Sequence, residues 1–121
     1  MSKILIADDD TNFLNATSEI LNNAGFTAIQ AKNPAEFMQK AASDKPDLIL
    51  LDTSMEKSED GLLAGKELFT KGIKIPIIIL ENVAKAAAFS IDTSEIAIEA
   101  YAEKPLDKDK ILTKINAILN R

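Results

Sequence analysis

The chain has 121 residues, 46% hydrophobic and 27% charged, which fits one globular domain able to bury its core without disulfides or structural zinc. Cys and His are both absent, which excludes thiol nucleophiles, Ser/His/Asp triads, zinc fingers and haem ligation through either residue. The 19 acidic residues against 14 basic ones give a net charge of −5, the opposite of the basic footprint of a nucleic-acid-binding domain, so no direct nucleic-acid contact is expected.

Met1-Ser2-Lys3 passes straight into an apolar run, Lys3 to Ala7, and no stretch is long enough for a signal peptide or a membrane span. A cytoplasmic protein with no membrane partner is expected. The run ends in Asp8-Asp9-Asp10. A first helix should begin after Asp10 or Thr11, both good N-caps, and reach about Ala24, with Phe13, Ile20, Leu21 and Ala24 along one face and Gly25 as the stop. A weaker run covers Thr27 to Ala31. Asn33 then caps a second helix, with Pro34 at its first position and Glu36 at the capping-box position, ending near Ser43 before Pro46.

Leu48 to Leu51 forms a third run, closed by Asp52, and a third helix should follow Gly61 and end near Gly72. Pro76 precedes the fourth run, Ile77 to Leu80, which leads to Glu81. Between residues 82 and 97, Ala84 to Phe89 favours a helix while Ser90-Ile91-Asp92-Thr93-Ser94 is rich in capping residues, so the spacing predicts a short or irregular helix. A last short run lies near Ala100 to Ala102. Asp107 then caps a final helix with Ile111, Ile115 and Ile118 inward beside Leu112 and Leu119. Five βα units whose strands are apolar on both faces predict an α/β fold with a doubly wound parallel sheet, in which ligands bind at the carboxyl ends of the strands.

That rule singles out Asp8, Asp9 and Asp10 after the first strand, Asp52 after the third, Glu81 after the fourth and Lys104 just past the fifth. Clustered carboxylates repel one another unless a proton or cation intervenes, and Mg²⁺ favours one or two carboxylates with waters and phosphate oxygens, so a Mg²⁺ site is the economical reading. Plain structural accounts stand beside it. Aspartates are favoured at a helix start, Lys104 alone reads as a solvated surface lysine, and Asp60-Gly61 reads as a turn. Asp52, closing an apolar run, must be solvated or paired.

These residues resemble the receiver domain of two-component response regulators, and the resemblance covers the whole chain. It is carried by Ile4-Leu5-Ile6-Ala7-Asp8-Asp9-Asp10, by Pro46-Asp47-Leu48-Ile49-Leu50-Leu51-Asp52, by Asp60-Gly61, by Pro76 and by Lys104-Pro105. The spacings of 43 residues from Asp9 to Asp52 and 52 from Asp52 to Lys104 are similar to the family's.

The resemblance implies a single receiver domain over residues 1–121, of the flavodoxin-like (βα)5 type with strand order 2-1-3-4-5. It implies that Asp52 accepts a phosphoryl group from a histidine kinase or phosphotransfer protein. Mg²⁺ would be bound by Asp8, Asp9, Asp52 and the backbone carbonyl of Ser54, with Lys104 supplying an ammonium and a cis peptide before Pro105. Tyr101 takes the place of an aromatic switch. Output would be contact with a downstream protein through the fourth helix, fifth strand and fifth helix, including Ala84 to Ser90, Tyr101 and Lys108. Such a domain is a phosphoacceptor rather than an enzyme, at most catalysing its own phosphorylation and dephosphorylation.

Three departures stand out. Glu81 occupies the place where the family usually has Ser or Thr. A carboxylate about 4 Å from another negative charge costs about 4 kcal/mol at an effective dielectric of 20, so Glu81 must turn outward, bind the cation or pair with Lys104. Met55 is followed by Glu56 where the family often has Pro, and Asp60-Gly61 comes one residue late, giving a longer, acidic loop. Ser54 and Val83 have little capacity to orient a hydrolytic water, which predicts slow loss of the phosphoryl group.

Glu81 and this loop leave room for an alternative, a pseudo-receiver acting as a constitutive protein-interaction scaffold. A phosphatase of the haloacid dehalogenase type would want a second Asp where Ser54 stands. A flavodoxin-like flavin binder would want a phosphate-cradling loop where three anions stand.

Overall fold

In a computed structural model that describes every residue except Met1 and Ala87, and Val83 by its backbone, the chain forms five βα units. The strands β1 (Lys3–Ala7), β2 (Thr27–Ala31), β3 (Leu48–Leu51), β4 (Ile77–Ile79) and β5 (Ile98–Tyr101) make one parallel sheet in the order β2-β1-β3-β4-β5. β3 and β4 are buried along their whole length and β1 from Ile4 onward, which is why their sequences run apolar without alternating. The helices are α1 (Thr11–Asn23), α2 (Pro34–Ser43), α3 (Asp60–Thr70), α4 (Val83–Ala86) and α5 (Lys108–Leu119).

Because side chains alternate along a strand, the sheet divides the core in two. Leu5, Ala7, Ile49, Leu51, Ile77 and Ile79 face Phe37 and Ala41 of α2 and Leu62 and Leu68 of α3. Ile4, Ile6, Leu48, Leu50 and Ile78 face Leu14 and Leu21 of α1 and Ile111 and Ile115 of α5. The expected doubly wound architecture follows directly.

The helix starts are set by side-chain caps. The carboxylate of Asp10 accepts the Phe13 N–H, the Asn33 amide oxygen accepts the Glu36 N–H, and the Asp107 carboxylate accepts the Lys110 N–H. Glu36 reaches back as a capping box requires, but to the N–H of Lys32, one residue before the cap. Gly25, at φ 92°, ends α1 in a conformation a side chain would resist.

Several details differ from expectation. The buried face of α1 is Leu14, Thr17, Ser18 and Leu21, whereas Phe13 and Ile20 are half-buried and Ala24 is exposed beyond the helix end. A reading keyed to apolar residues passes over Thr17 and Ser18, both buried, the Ser18 hydroxyl accepting the side-chain amide of Gln30 on β2. α3 begins at Asp60, one residue before Gly61. β5 starts at Ile98 and pairs with β4 through a register shift between Ile77 and Ile78. In α5, Ile118, Leu112 and Leu119 are only partly buried beside the buried Ile111 and Ile115.

The irregular stretch is irregular as expected. α4 is a single turn, and the Asp92 carboxylate accepts the Ser94 N–H in the segment that the capping residues marked as a breaker. The surface expected along Ala84 to Ser90 is therefore one helical turn followed by bends, not a full helix, and it includes Ala87, which lies outside the described residues.

Candidate functional site

β1 and β3 are adjacent in register, Ala7 opposite Leu51, so the residues that follow them, Asp8 and Asp52, emerge side by side at the carboxyl edge. The Asp52 N–H donates to the Ala7 carbonyl and the Asp8 N–H to the Ala31 carbonyl, which extends the ladder one residue past each strand. Asp8 is fully buried and Asp52 is 8% exposed, while Asp9 faces solvent. Carboxylate oxygens of Asp8, Asp9 and Asp52 lie within 4.8 Å of one another.

Lys104 enters this cluster from the far end of β5, across a cis peptide to Pro105. Its Nζ is 2.7 Å from Asp8 Oδ2 and 3.8 Å from Asp52 Oδ2. The second oxygen of Asp8 accepts the N–H of Asp10, so both ends of this buried carboxylate are engaged. Burial, and after it the neighbouring negative charge of Asp8, pushes the Asp52 carboxyl up to about 6, against the pull of Lys104 and of the Ser54 N–H; Asp9 adds to the rise. For Lys104 burial pulls downward, yet the hydrogen bond to Asp8 and the charges of Asp52, Asp8 and Asp9 outweigh it and hold the ammonium above its ordinary value.

Three carboxylates thus meet, and one ammonium pairs with two of them, Asp8 and Asp52. An all-oxygen, net negative donor set of this kind fits a small hard cation.

The loop after β3 is shaped by Asp60-Gly61. The Asp60 carboxylate accepts the N–H groups of Met55, Glu56 and Lys57 at 2.6, 2.8 and 2.9 Å. Against the opposing cost of burial, these bonds and one from Gly61 hold its pKa below the ordinary carboxylate range. A Cβ on Gly61 would stand 1.9 Å from the Asp52 carbonyl oxygen, so only glycine lets α3 start this close to the end of β3. The pair that reads as a turn is a clamp behind Asp52.

Sequence reasoning missed a second tie. Glu59 adopts φ 58°, its N–H donates to the Ser54 hydroxyl, and its carboxylate accepts both the N–H and the hydroxyl of Ser90. This joins the β3–α3 loop to the segment after α4. Partners 31 residues apart leave no local pattern to read.

Of the three outcomes expected for Glu81, pairing with Lys104 is not the one seen. Glu81 is half-buried, its Oε1 accepts the Asn82 N–H, and among the described residues it forms no ion pair with Lys104. With Asn82, Tyr101, Glu103 and Lys114 it lines a cavity of about 180 Å³ beside the end of β5. Tyr101 ends β5 half-buried, and its carbonyl accepts the Lys114 ammonium. Ser54 is exposed at the loop, and its N–H faces Asp52. The Val83 side chain lies outside the described residues.

The sheet topology and the three aspartates with one lysine at its carboxyl edge are those of an α/β domain that binds at its strand ends. Residues 4–116 match the family described as the response regulator receiver domain, and the chain belongs to that family. The alkaline phosphatase synthesis transcriptional regulatory protein PhoP of Bacillus subtilis (strain 168) is 32% identical over 120 residues, covering 98% of this chain and 49% of that protein. The response regulator MprA of Mycobacterium ulcerans (strain Agy99) is 28% identical over 119 residues, covering 98% and 50%. The chain spans about half the length of these relatives.

Among solved structures, the N-terminal domain of a response regulator/sensory box/GGDEF 3-domain protein from Carboxydothermus hydrogenoformans superposes with a TM-score of 0.84 at 22% identity, over 98% of this chain and 94% of that one. The Francisella response regulator 1452 receiver domain gives 0.83 at 22% identity, over 100% and 98%. Both share the fold. Receiver domains are signalling domains of two-component systems, and among the described residues no helix is long and apolar enough to cross a membrane.

Proposed function

We propose that this domain accepts a phosphoryl group on Asp52 from a histidine kinase or phosphotransfer protein and signals by changed protein binding. The observation that carries the reading is the meeting of Asp8, Asp9 and Asp52 within 4.8 Å, with Lys104 paired to Asp8 and Asp52. A carboxylate oxygen of Asp52 attacks phosphorus, the bond from phosphorus to the donor nitrogen or oxygen breaks, and the departing group keeps the electron pair and takes a proton. Charge spreads over the transferring oxygens, and Lys104 offsets it from one side. Asp8, Asp9, Asp52 and the carbonyl of Ser54 would hold Mg²⁺, which supplies the remaining charge neutralisation when bound.

Output runs through α4, β5 and α5, with Tyr101 and Lys108 on that face and Glu81 replacing the hydroxyl that usually couples it to the phosphoryl group. The protein works in the cytoplasm, residues 1–121 act as one receiver unit, and neither nucleic acid nor membrane is a direct partner of this domain.

Glu81 also favours a second reading, a constitutive scaffold that is never phosphorylated. Calorimetric titration with MgCl₂ separates the two. Saturable binding that is lost in Asp9→Asn is expected of the phosphoacceptor; absence of binding in the unaltered protein would shift the assignment to the scaffold.

A further inference from the structure

Lys104 is a flexible four-carbon stem ending in a compact charge, and its side chain is 34% exposed, so water competes for its ammonium. Two carboxylates face it, at 2.7 Å from Asp8 and 3.8 Å from Asp52. On another side stands the aromatic ring of Phe13, whose centroid is 4.8 Å from Nζ. That is within reach of the attraction between a cation and the negative face of an aromatic ring.

The ring is tied to the acid cluster. Asp8 Oδ1 accepts the Asp10 N–H, Asp10 Oδ1 accepts the Phe13 N–H, and Phe13 sits on the first turn of α1 and packs in part against the core below it. The loop that carries the aspartates therefore also fixes where the ring stands. A ring differs from a further carboxylate in one respect that matters here: it attracts the ammonium without adding negative charge to three acids that already repel one another.

We infer that Phe13 is a positioning residue for Lys104, holding the ammonium toward Asp52 by a cation–π contact. The inference rests on the phosphoacceptor reading for its kinetic consequence. There, Asp8 would be shared with Mg²⁺, and the uncharged ring would be an anchor for Lys104 that the metal does not compete for. The contact itself stands on the geometry above.

The test has two arms. In metal-free protein, NMR of the Lys104 ε-methylene protons should show an upfield ring-current displacement that persists in Phe13→Tyr and vanishes in Phe13→Leu; unchanged Lys104 resonances in Phe13→Leu would overturn the inference. In the second arm, phosphorylation by acetyl phosphate with Mg²⁺ is timed with 3,4,5-trifluorophenylalanine at position 13, which keeps the ring's shape while draining its negative face. Its rate should fall about two- to fivefold, as in Phe13→Leu, the size of a partly exposed cation–π contact, with Phe13→Tyr near the unaltered rate. A trifluoro variant as fast as the unaltered protein would overturn it. Should the unaltered protein take no phosphoryl group, the phosphoacceptor reading fails, and the NMR arm still decides whether Phe13 holds Lys104.

Discussion

At the β1–β3 end of the carboxyl edge, strands buried on both faces deliver Asp8 and Asp52 side by side, the ladder runs one residue further, and Asp60 gathers three N–H groups of the next loop. At the β4–β5 end, β4 has three residues, its pairing with β5 shifts register, α4 is one turn, and Glu81 bonds to its own neighbour. The first end is over-determined, which suits chemistry needing carboxylates and an ammonium at fixed separations. The second has a three-residue strand, a register shift and a single-turn helix, which would suit the output surface proposed above. The Glu59–Ser90 tie is a described link from the first loop to the second region.

The sharpest way to break the first end is Gly61→Ala. A methyl group 1.9 Å from the Asp52 carbonyl forces α3 and β3 apart, and urea unfolding should report a loss of about 3 kcal/mol or more. A loss below about 1 kcal/mol would mean that the close approach is easily relaxed.

Asp60→Ala comes next, at about 2 kcal/mol, since it strips the acceptor from three N–H groups. Its pH dependence has a definite sign. The folded pKa of Asp60 is lowered from the ordinary 3.8, so its charge stabilises the fold above that value and the contribution is lost as pH falls through the folded pKa. The stability gap between the unaltered protein and Asp60→Asn should therefore be constant near neutrality and shrink once pH drops below about 4. A gap that widens in acid would refute the clamp.

At the second end the expected effects are smaller. Glu81→Thr restores a hydroxyl at the end of β4 and should enlarge the phosphorylation-dependent change in the fluorescence of Tyr101, the only Tyr in a chain without Trp. An unchanged response would show that Glu81 does not limit the coupling. Smallest in stability is Ser90→Ala, which should leave the unfolding midpoint nearly unmoved. It should speed amide exchange of residue 90 and of residues 54–59, because it removes the hydroxyl half of the tie to Glu59 and leaves only the N–H half. Exchange confined to residue 90 itself would deny a link between the two regions.

What could be read from the sequence follows the same division. β1, β3 and β4 are legible because strands buried on both faces must be apolar throughout, and Asn33-Pro34 marks a helix start because cap and first turn are local chemistry. Asp8, Asp9, Asp52 and Lys104 are legible because a strand end in a parallel sheet is where a polar residue needs a reason. Thr17 and Ser18 hid the inward face of α1, since small hydroxyl residues bury without an apolar signature. Glu59 with Ser90 and Phe13 with Lys104 are long-range pairings, and neither member looks unusual until the fold brings the other to it.

The central claim, that Asp52 is a working phosphoacceptor, is tested most directly by intact mass after incubation with acetyl phosphate, with and without Mg²⁺, beside Asp52→Asn. One Mg²⁺-dependent phosphoryl adduct, absent from the variant, is the predicted result. No adduct on the unaltered protein, or the same adduct on Asp52→Asn, would contradict it.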